Sequence, residues 1–342
     1  MLAQGVSGTV TWTLDDEGTL CFVPVNGKEG TFADSIGYIG CELEHYNGYD
    51  WNQHYKKIKR IKSHGLIHLA ENSSCMFFGC SYLISLDLNN FDTNKVTTME
   101  SMFEGCSSLT SLDLCNFDTS HVTNMAGMFS GCYSFRNLNV TSFDTSKVTD
   151  MHYMFYDCSS LSIVDSLKNW NTGNVTDMSW MFKGCSSLST IDALKNWNIQ
   201  TVRTMSFMFY DCSSLKKFDL IHFDVKKITD VTAMFWGCDS LTTIELSNLN
   251  RNIVLGLPIS ETSTLSSKWH KINTDQEYSR FELADNWNNS FEGIWSRKKV
   301  SKSIPTDELK VTIPEGKTIT VSLKDKMLTL KLDGYSVQVS YE

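Results

Sequence analysis

The dipeptide Met-Phe recurs at Met76, Met102, Met128, Met154, Met181, Met208 and Met234, in steps of 26, 26, 26, 27, 27 and 26 residues. A fixed period of this size constrains the chain more than any local motif, because every motif inside it becomes one member of a column. A cysteine follows each methionine by four positions, at Cys80, Cys106, Cys132, Cys158, Cys185, Cys212 and Cys238, so seven of the eleven cysteines form one column. In "LTSLDL", Leu112 and Leu114 alternate with Ser111 and Asp113, which predicts one short strand per unit with the leucines inward. Phe91, Phe117, Phe143, Trp170, Trp197 and Phe223 form an aromatic column at the turn after that strand. Val122, Met125, Met128 and Phe129 fall at spacings of three and four, which predicts a short helix or 3-10 turn on the opposite side.

Ordering 26 residues costs on the order of 26–50 kcal/mol of backbone entropy, whereas each buried apolar side chain returns roughly 1.5–3 kcal/mol. One unit therefore cannot stand alone, and stacked units bury one another's faces. The expected fold is a repeat solenoid of leucine-rich-repeat type, with one short parallel strand and one short helix or 3-10 turn per coil and a rise of about 4.7–4.9 Å per coil. The extra residue after Asp165 and Asp192 predicts a bulge or widened turn in those two coils.

Open coil ends need covers. Residues 1–70 alternate as strands do ("TVTWTL", "TLCFVPV") and read as a β-rich cap. The solenoid spans 71–250, a Trp-rich capping segment 251–299, and a small β-strand module with a turn at Asp333-Gly334 spans 300–342. The basic run of Lys56, Lys57, Lys59, Arg60 and Lys62 contains Ile58 and Ile61 and reads as a partly exposed edge strand rather than an anion site.

Units of the form M-F-x-G-C-S-S-L-x-x-L-D-L-x-x-F-D-T-S-x-V-T-x-M, running from about Met76 to Leu246, resemble the repeats of the BspA-like leucine-rich-repeat surface proteins. The opening "GTVTWTLDDEGTLCF" resembles the β-rich module that often precedes them. The resemblance implies a non-catalytic adhesion protein, bacterial, at the cell surface or secreted. Unlike exported members, this sequence shows no leader or lipid-anchor cysteine, and "LPISET" is not a complete sorting signal.

A net charge of −9 argues against sequence-independent nucleic-acid binding, which needs a surplus of cations. No stretch reaches the roughly 18 apolar residues of a membrane span. The cysteine column reads as buried thiols, because in-register side chains point the same way and bridge only with strain; neither metal nor redox chemistry is assigned to it. "HGLIH", His64 to His68, has Gly65 where a zinc protease needs its glutamate. No catalytic, cofactor or metal residue is assigned.

Two columns remain as candidate surfaces. The strand's outward acidic column is Asp87, Asp113, Asn139, Asp165, Asp192, Asp219 and Glu245; a solvated hydrogen-bonded ladder suits it better than Ca²⁺, which wants six or more oxygens. The positions flanking Met-Phe turn aromatic in the later coils, giving Tyr153, Tyr156, Trp180, Phe207, Tyr210 and Trp236. If exposed they form a patch of the kind that marks interfaces or sugar platforms; the alternative is that they pack inside. The leading expectation is binding of a protein or glycan on a host or microbial surface. An intracellular scaffold of the same fold is the second, and an enzyme with its site in an end module the third.

Overall fold

A computed structural model describes residues 1–35, 49–219, 227–246, 256–257, 265–272, 274, 276–279, 282, 293–298, 319–324, 327–332 and 335–340. The chain forms two compact units, Met1–Lys298 and Lys299–Glu342. The second holds three antiparallel strands in chain order, Ile319–Lys324, Met327–Leu332 and Tyr335–Ser340. The expected turn at Asp333-Gly334, the aromatic column's Phe223, and most of 251–299 lie outside the described residues.

The first unit opens with an antiparallel meander of β1 (Ala3–Ser7), β2 (Val10–Leu14) and β3 (Thr19–Pro24). It passes directly into the repeats. β3 pairs in parallel with β5 (Arg60–Ser63), and β5 with β7 (Ser85–Leu86). A second parallel set joins β4 (Glu29–Thr31), β6 (Leu66–His68) and β8 (Phe91–Asp92). The basic run is thus not an edge strand: Lys56 and Lys57 end a 3-10 helix, and Arg60 and Lys62 sit on β5, paired on both sides.

From Met76 onward, equivalent residues of successive repeats lie side by side. Single-residue parallel bridges run Asn72, Thr98, Asn124, Asp150, Asp177, Thr204 and Asp230 without a gap. Beside them, at every junction, four backbone N–H groups of one coil donate to the next. Between the second and third coils these are Met99, Ser101, Phe103 and Gly105 to the carbonyls of Asn124, Ala126, Met128 and Ser130, at 2.7–3.0 Å. Parallel-sheet alternation would reverse every other bond; here all four point one way, and one N–H per junction donates back beside the bridge, as Thr123 N does to Thr97 O at 2.8 Å.

Where the sequence predicts a short helix or a 3-10 turn, the Met-Phe segment holds turns closed by bonds three residues long and, among the described residues, no helix. Bonds such as Met102 N to Met99 O and Cys106 N to Phe103 O bend the chain. Residues at positive φ interrupt them twice per coil, for example Ser101 at 53° and Gly105 at 73°. Spacings of three and four arise equally from such turns, so hydrophobic periodicity did not separate the two.

The strand side is discontinuous. β9 (Ser111–Asp113) pairs with β10 (Asn137–Asn139), and β11 (Lys217–Asp219) with β12 (Thr243–Leu246). In the two 27-residue coils between them the expected strand is replaced by 3-10 helices, Asp165–Leu167 and Asp192–Asn196. The added residue is absorbed by tighter winding, not by a bulge in a ladder. Trp170 and Trp197 occur in these coils, and their indole N–H groups donate to the carbonyls of Val140 and Leu167 in the preceding coil, at 3.3 and 3.0 Å.

The core is built from stacked columns. Phe77, Phe103, Phe129, Phe155, Phe182, Phe209 and Phe235 have successive ring centroids 5.3–6.0 Å apart. From Cys106 onward each column thiol donates to the Phe carbonyl of the coil before, as Cys185 Sγ does to Phe155 O at 3.2 Å. Burial pushes all seven thiols up, Cys80 to about 12. Thr93, Thr119, Thr145 and Thr172 bridge coils in the opposite direction, their hydroxyls donating to a carbonyl of the following coil.

The ends are covered by different means. The 3-10 helix Asp50–Lys57 lies at the first coil, where Trp51 Nε1 and Asn52 Nδ2 donate to the carbonyls of Met76 and Cys75, each at 2.9 Å. Met76 O occupies the place at which Met102 O accepts a bond from the coil before it. At the far end β12 pairs antiparallel with β15 (Gly293–Lys298), which pairs with β13 (Leu265–Lys271), itself paired with β14 (Glu277–Ser279). Arg297 is fully buried there and donates to the carbonyl of Asp239 at 3.2 Å.

Candidate binding surface

The residue before each Met-Phe pair has a left-handed backbone in all seven coils: Cys75, Ser101, Gly127, Tyr153, Trp180, Phe207 and Ala233, with φ between 51° and 61°. Glycine adopts this conformation freely, whereas for another residue it costs about 1–2 kcal/mol. Only one of the seven is glycine, and three consecutive members are large aromatics.

Those three rings stack. Tyr153 and Trp180 have centroids 5.6 Å apart at 14°, and Trp180 and Phe207 are 4.1 Å apart at 13°. Tyr156 and Tyr210, one turn later in their coils, tilt against Tyr153 and Phe207 at 5.3 and 5.8 Å. The three left-handed bulky residues cost about 3–6 kcal/mol, against which stand roughly 1–3 kcal/mol from two stacked pairs and the area that the half-buried rings remove from water. Tyr153 is 36% exposed and Trp236 42%, while Tyr156, Trp180, Phe207 and Tyr210 are half-buried. The six aromatics named from the sequence therefore lie along the outer turn side, not in the core.

A cation sits among them. Lys183 Nζ lies 4.6, 5.5 and 5.6 Å from the ring centroids of Tyr156, Trp180 and Tyr210 and donates to Tyr156 Oη at 3.0 Å. Its pKa is raised: burial opposes the charge, but the Tyr156 hydroxyl and the nearby Asp157 and Asp211 carboxylates favour it. Asp157 and Asp211 stand in a column otherwise filled by glycine (Gly79, Gly105, Gly131, Gly184, Gly237) and share its positive φ. Each carboxylate lies over the glycine of the next coil, where a Cβ on Gly184 or Gly237 would collide with it. Sequence reasoning missed Lys183, Asp157 and Asp211. For Asp157 and Asp211 the signal was the departure from an otherwise constant glycine column.

The members of the acidic column have different roles. Asp87 and Asp113 accept from the backbone N–H two residues on, at 3.1 and 3.0 Å, and Asp113 also accepts from Asn139 Nδ2. Asp165 opens a 3-10 helix, and Asp192 opens another and pairs with Lys195 at 2.6 Å. Asp192, Asp219 and Glu245 also come together in a cleft of about 560 Å³ walled by Ile191, Ile272 and Ile294.

In "HGLIH", Gly65 takes φ 70° between β5 and β6, so His64 and His68 are not on one helix. His68 binds the Asp92 carboxylate at 2.7 Å. Among the described residues no group of three or more His, Cys, Asp or Glu side chains is placed to hold a metal ion, and no helix is long and apolar enough to cross a membrane.

The chain resembles two crystal structures loosely. One is a leucine-rich repeat protein from Bacteroides ovatus, 18% identical over 73% of this chain and 78% of that one, with a TM-score of 0.27. The other is a leucine rich cell surface protein from Faecalibacterium prausnitzii, 14% identical over 72% and 96%, with a TM-score of 0.19. No curated protein matches. The model of one family, described as "Mycoplasma protein of unknown function, DUF285", matches residues 71–166 and again 160–255. These two matches span the Met-Phe repeats and more than half of the 342 residues, and by them the chain belongs to the DUF285 family.

Proposed function

We propose that the stacked coils are a leucine-rich-repeat type solenoid acting as a non-catalytic binding protein at the cell surface or outside it, which adheres to a macromolecule on a host or microbial surface through its aromatic turn side. The observation that carries this reading is the half-exposed ladder of Tyr153, Trp180 and Phe207, held at a backbone conformation that penalises large side chains. Residues held in sparsely populated backbone conformations cluster at binding sites. Tyr156, Tyr210 and Trp236 extend the apolar surface, and Lys183 gives it a polar centre. Exposed aromatic clusters of this kind dominate the energetics of interfaces. The end modules act as caps, residues 1–70 at one end and 251–299 at the other.

The geometry supplies its own test. Replacing Tyr153, Trp180 and Phe207 together by glycine removes the rings while suiting the left-handed backbone, so the fold is retained. The expected result is saturable binding of the purified chain to cells, matrix proteins or glycans that the triple variant loses at an unchanged melting temperature. Equal binding by both proteins, or none by the parent, overturns the reading. Protease treatment of intact producing cells, with a cytosolic protein as lysis control, tests the location: repeat peptides released before lysis are expected.

A further inference from the structure

The strand side changes form near its far end, and a cleft opens at the step. There the 3-10 helix Asp192–Asn196 gives way to β11, β12 and β15, paired side by side. Phe218, Ile244 and Trp295 of these strands are buried, so the residues flanking them face outward and stand in two rows. By the pairing register the first row is Lys217, Thr243 and Ser296, and the second is Asp219, Glu245 and Ile294. Ile272 continues the second row, its N–H donating to Ile294 O at 2.8 Å. With Asp192 and Lys195 of the coil before, the rows line the cleft of about 560 Å³, a size within the range of small-molecule sites.

The lining is of three kinds. Ile272 and Ile294 keep 43% and 38% of their surface exposed and form an apolar end. Beside them in the same row are two carboxylates, Glu245 and Asp219. In the other row Lys217 is in no ion pair among the described residues, although three carboxylates line the cleft, and Thr243 Oγ1 makes no hydrogen bond among them. Lys195 is already paired with Asp192 at 2.6 Å. An anion drawn to Lys217 would also meet Glu245 and Asp219, and a simple cation would leave Lys217 unmatched. A molecule carrying both charges suits both rows. Lys217 and Glu245 stand diagonally, one strand and two residues apart, so their Cα atoms are about 8 Å from each other, and side chains standing off the sheet keep that separation. The ammonium and carboxylate borne by one carbon are about 3 Å apart, and a charge-assisted bond of about 2.7–2.9 Å at each end brings the span to about 8–9 Å. A substituent on that carbon then falls toward Ile294, one strand beyond Glu245. We propose that the cleft binds a free α-amino acid with an apolar side chain: Lys217 and Thr243 hold its carboxylate, Glu245 its ammonium with Asp219 adding negative charge, and Ile294 and Ile272 its side chain. This site is separate from the aromatic turn side and does not rest on the reading of that surface.

Leucine is the probe, titrated into the full chain at fixed ionic strength with the isoleucine methyl groups observed by NMR. The expected result is a saturable shift of Ile272 and Ile294. Three analogues should each bind at least tenfold more weakly: N-acetyl-leucine, which lacks the ammonium, leucine amide, which lacks the carboxylate, and glycine, which lacks the side chain. Two variants assign the charges. Lys217→Gln is expected to weaken leucine at least tenfold without weakening leucine amide, and Glu245→Gln to weaken leucine at least tenfold without weakening N-acetyl-leucine. No saturable shift at Ile272 and Ile294, equal binding of leucine and N-acetyl-leucine, or equal binding of leucine by the parent and either variant each overturns the site. The analogues probe the parent chain itself, so the outcome stays decisive should a variant fold poorly.

Discussion

The two sides of each coil obey different rules. On the turn side, backbone bonds of one pattern cross every junction from the first coil to the seventh, and positive-φ positions recur in register throughout. On the strand side, pairing is present at β9–β10 and β11–β12 and gives way to 3-10 helices in the two longer coils. Both sides close over the same phenylalanine and cysteine columns. The contrast teaches where a repeat tolerates change. An inserted residue on the turn side would disturb four intercoil bonds and two left-handed positions at once, whereas on the strand side it is taken up locally.

Four measurements sharpen or break this contrast. The largest effect is expected in the shared core: Phe182→Ala removes a ring stacked on both neighbours, at 5.3 and 5.7 Å, and should cost about 3–5 kcal/mol in denaturant unfolding. A cost under 1 kcal/mol would mean the column does not hold the coils together.

The next effect is in alkaline stability. The buried thiols keep their protons in the folded chain at pH values where the unfolded chain, with an ordinary value near 9.0, releases them. Their contribution is complete below pH 9 and lost as pH rises, for Cys80 through about 12. Stability should therefore fall above pH 9, by at most about 1.4 kcal/mol per pH unit for each thiol, and Cys80→Ala should reduce the slope by one thiol's share. A stability curve flat to pH 11 would contradict the burial of the column.

Trp180→Gly comes third. Relief of left-handed strain offsets part of the lost stacking and burial, so the loss should stay below about 2 kcal/mol, less than the roughly 3–5 kcal/mol for truncating a buried tryptophan. A loss of several kcal/mol would show that the ladder is structural after all. The smallest effect belongs to the strand side. Asp192→Asn breaks an exposed pair with Lys195 and should shift stability by less than about 0.5 kcal/mol.

Much of this arrangement was legible because columns expose their members. The inward leucines, the cysteine column and the six aromatics follow from alignment of the units, since each position is sampled seven times over. The choice between helix and turn was not legible, because Met125, Met128 and Phe129 keep the same spacing whether the chain is a helix or a set of turns around Ser101-type positions. The 3-10 helices at Asp165 and Asp192 were signalled by the extra residue, but not their form, which depends on the preceding coil supplying Val140 and Leu167 carbonyls to Trp170 and Trp197. Lys183 gains its role from Tyr156 and Tyr210, each one coil away, and such neighbours are visible only once the stacking register is known.

The one-way bonds of the turn side carry a further consequence for how such a molecule changes over generations. Along the Met-Phe segment each coil offers acceptors to the coil before it and donors to the coil after it, with one N–H per junction returned in the same way each time, so any coil fits behind any other, and a duplicated or deleted 26-residue unit leaves every joint of the same kind. The two terminal pieces have no such freedom. Trp51 and Asn52 supply donors and match only the acceptor end. Length is thus the variable that heredity can alter most cheaply, while the termini and the polarity of the stack stay fixed.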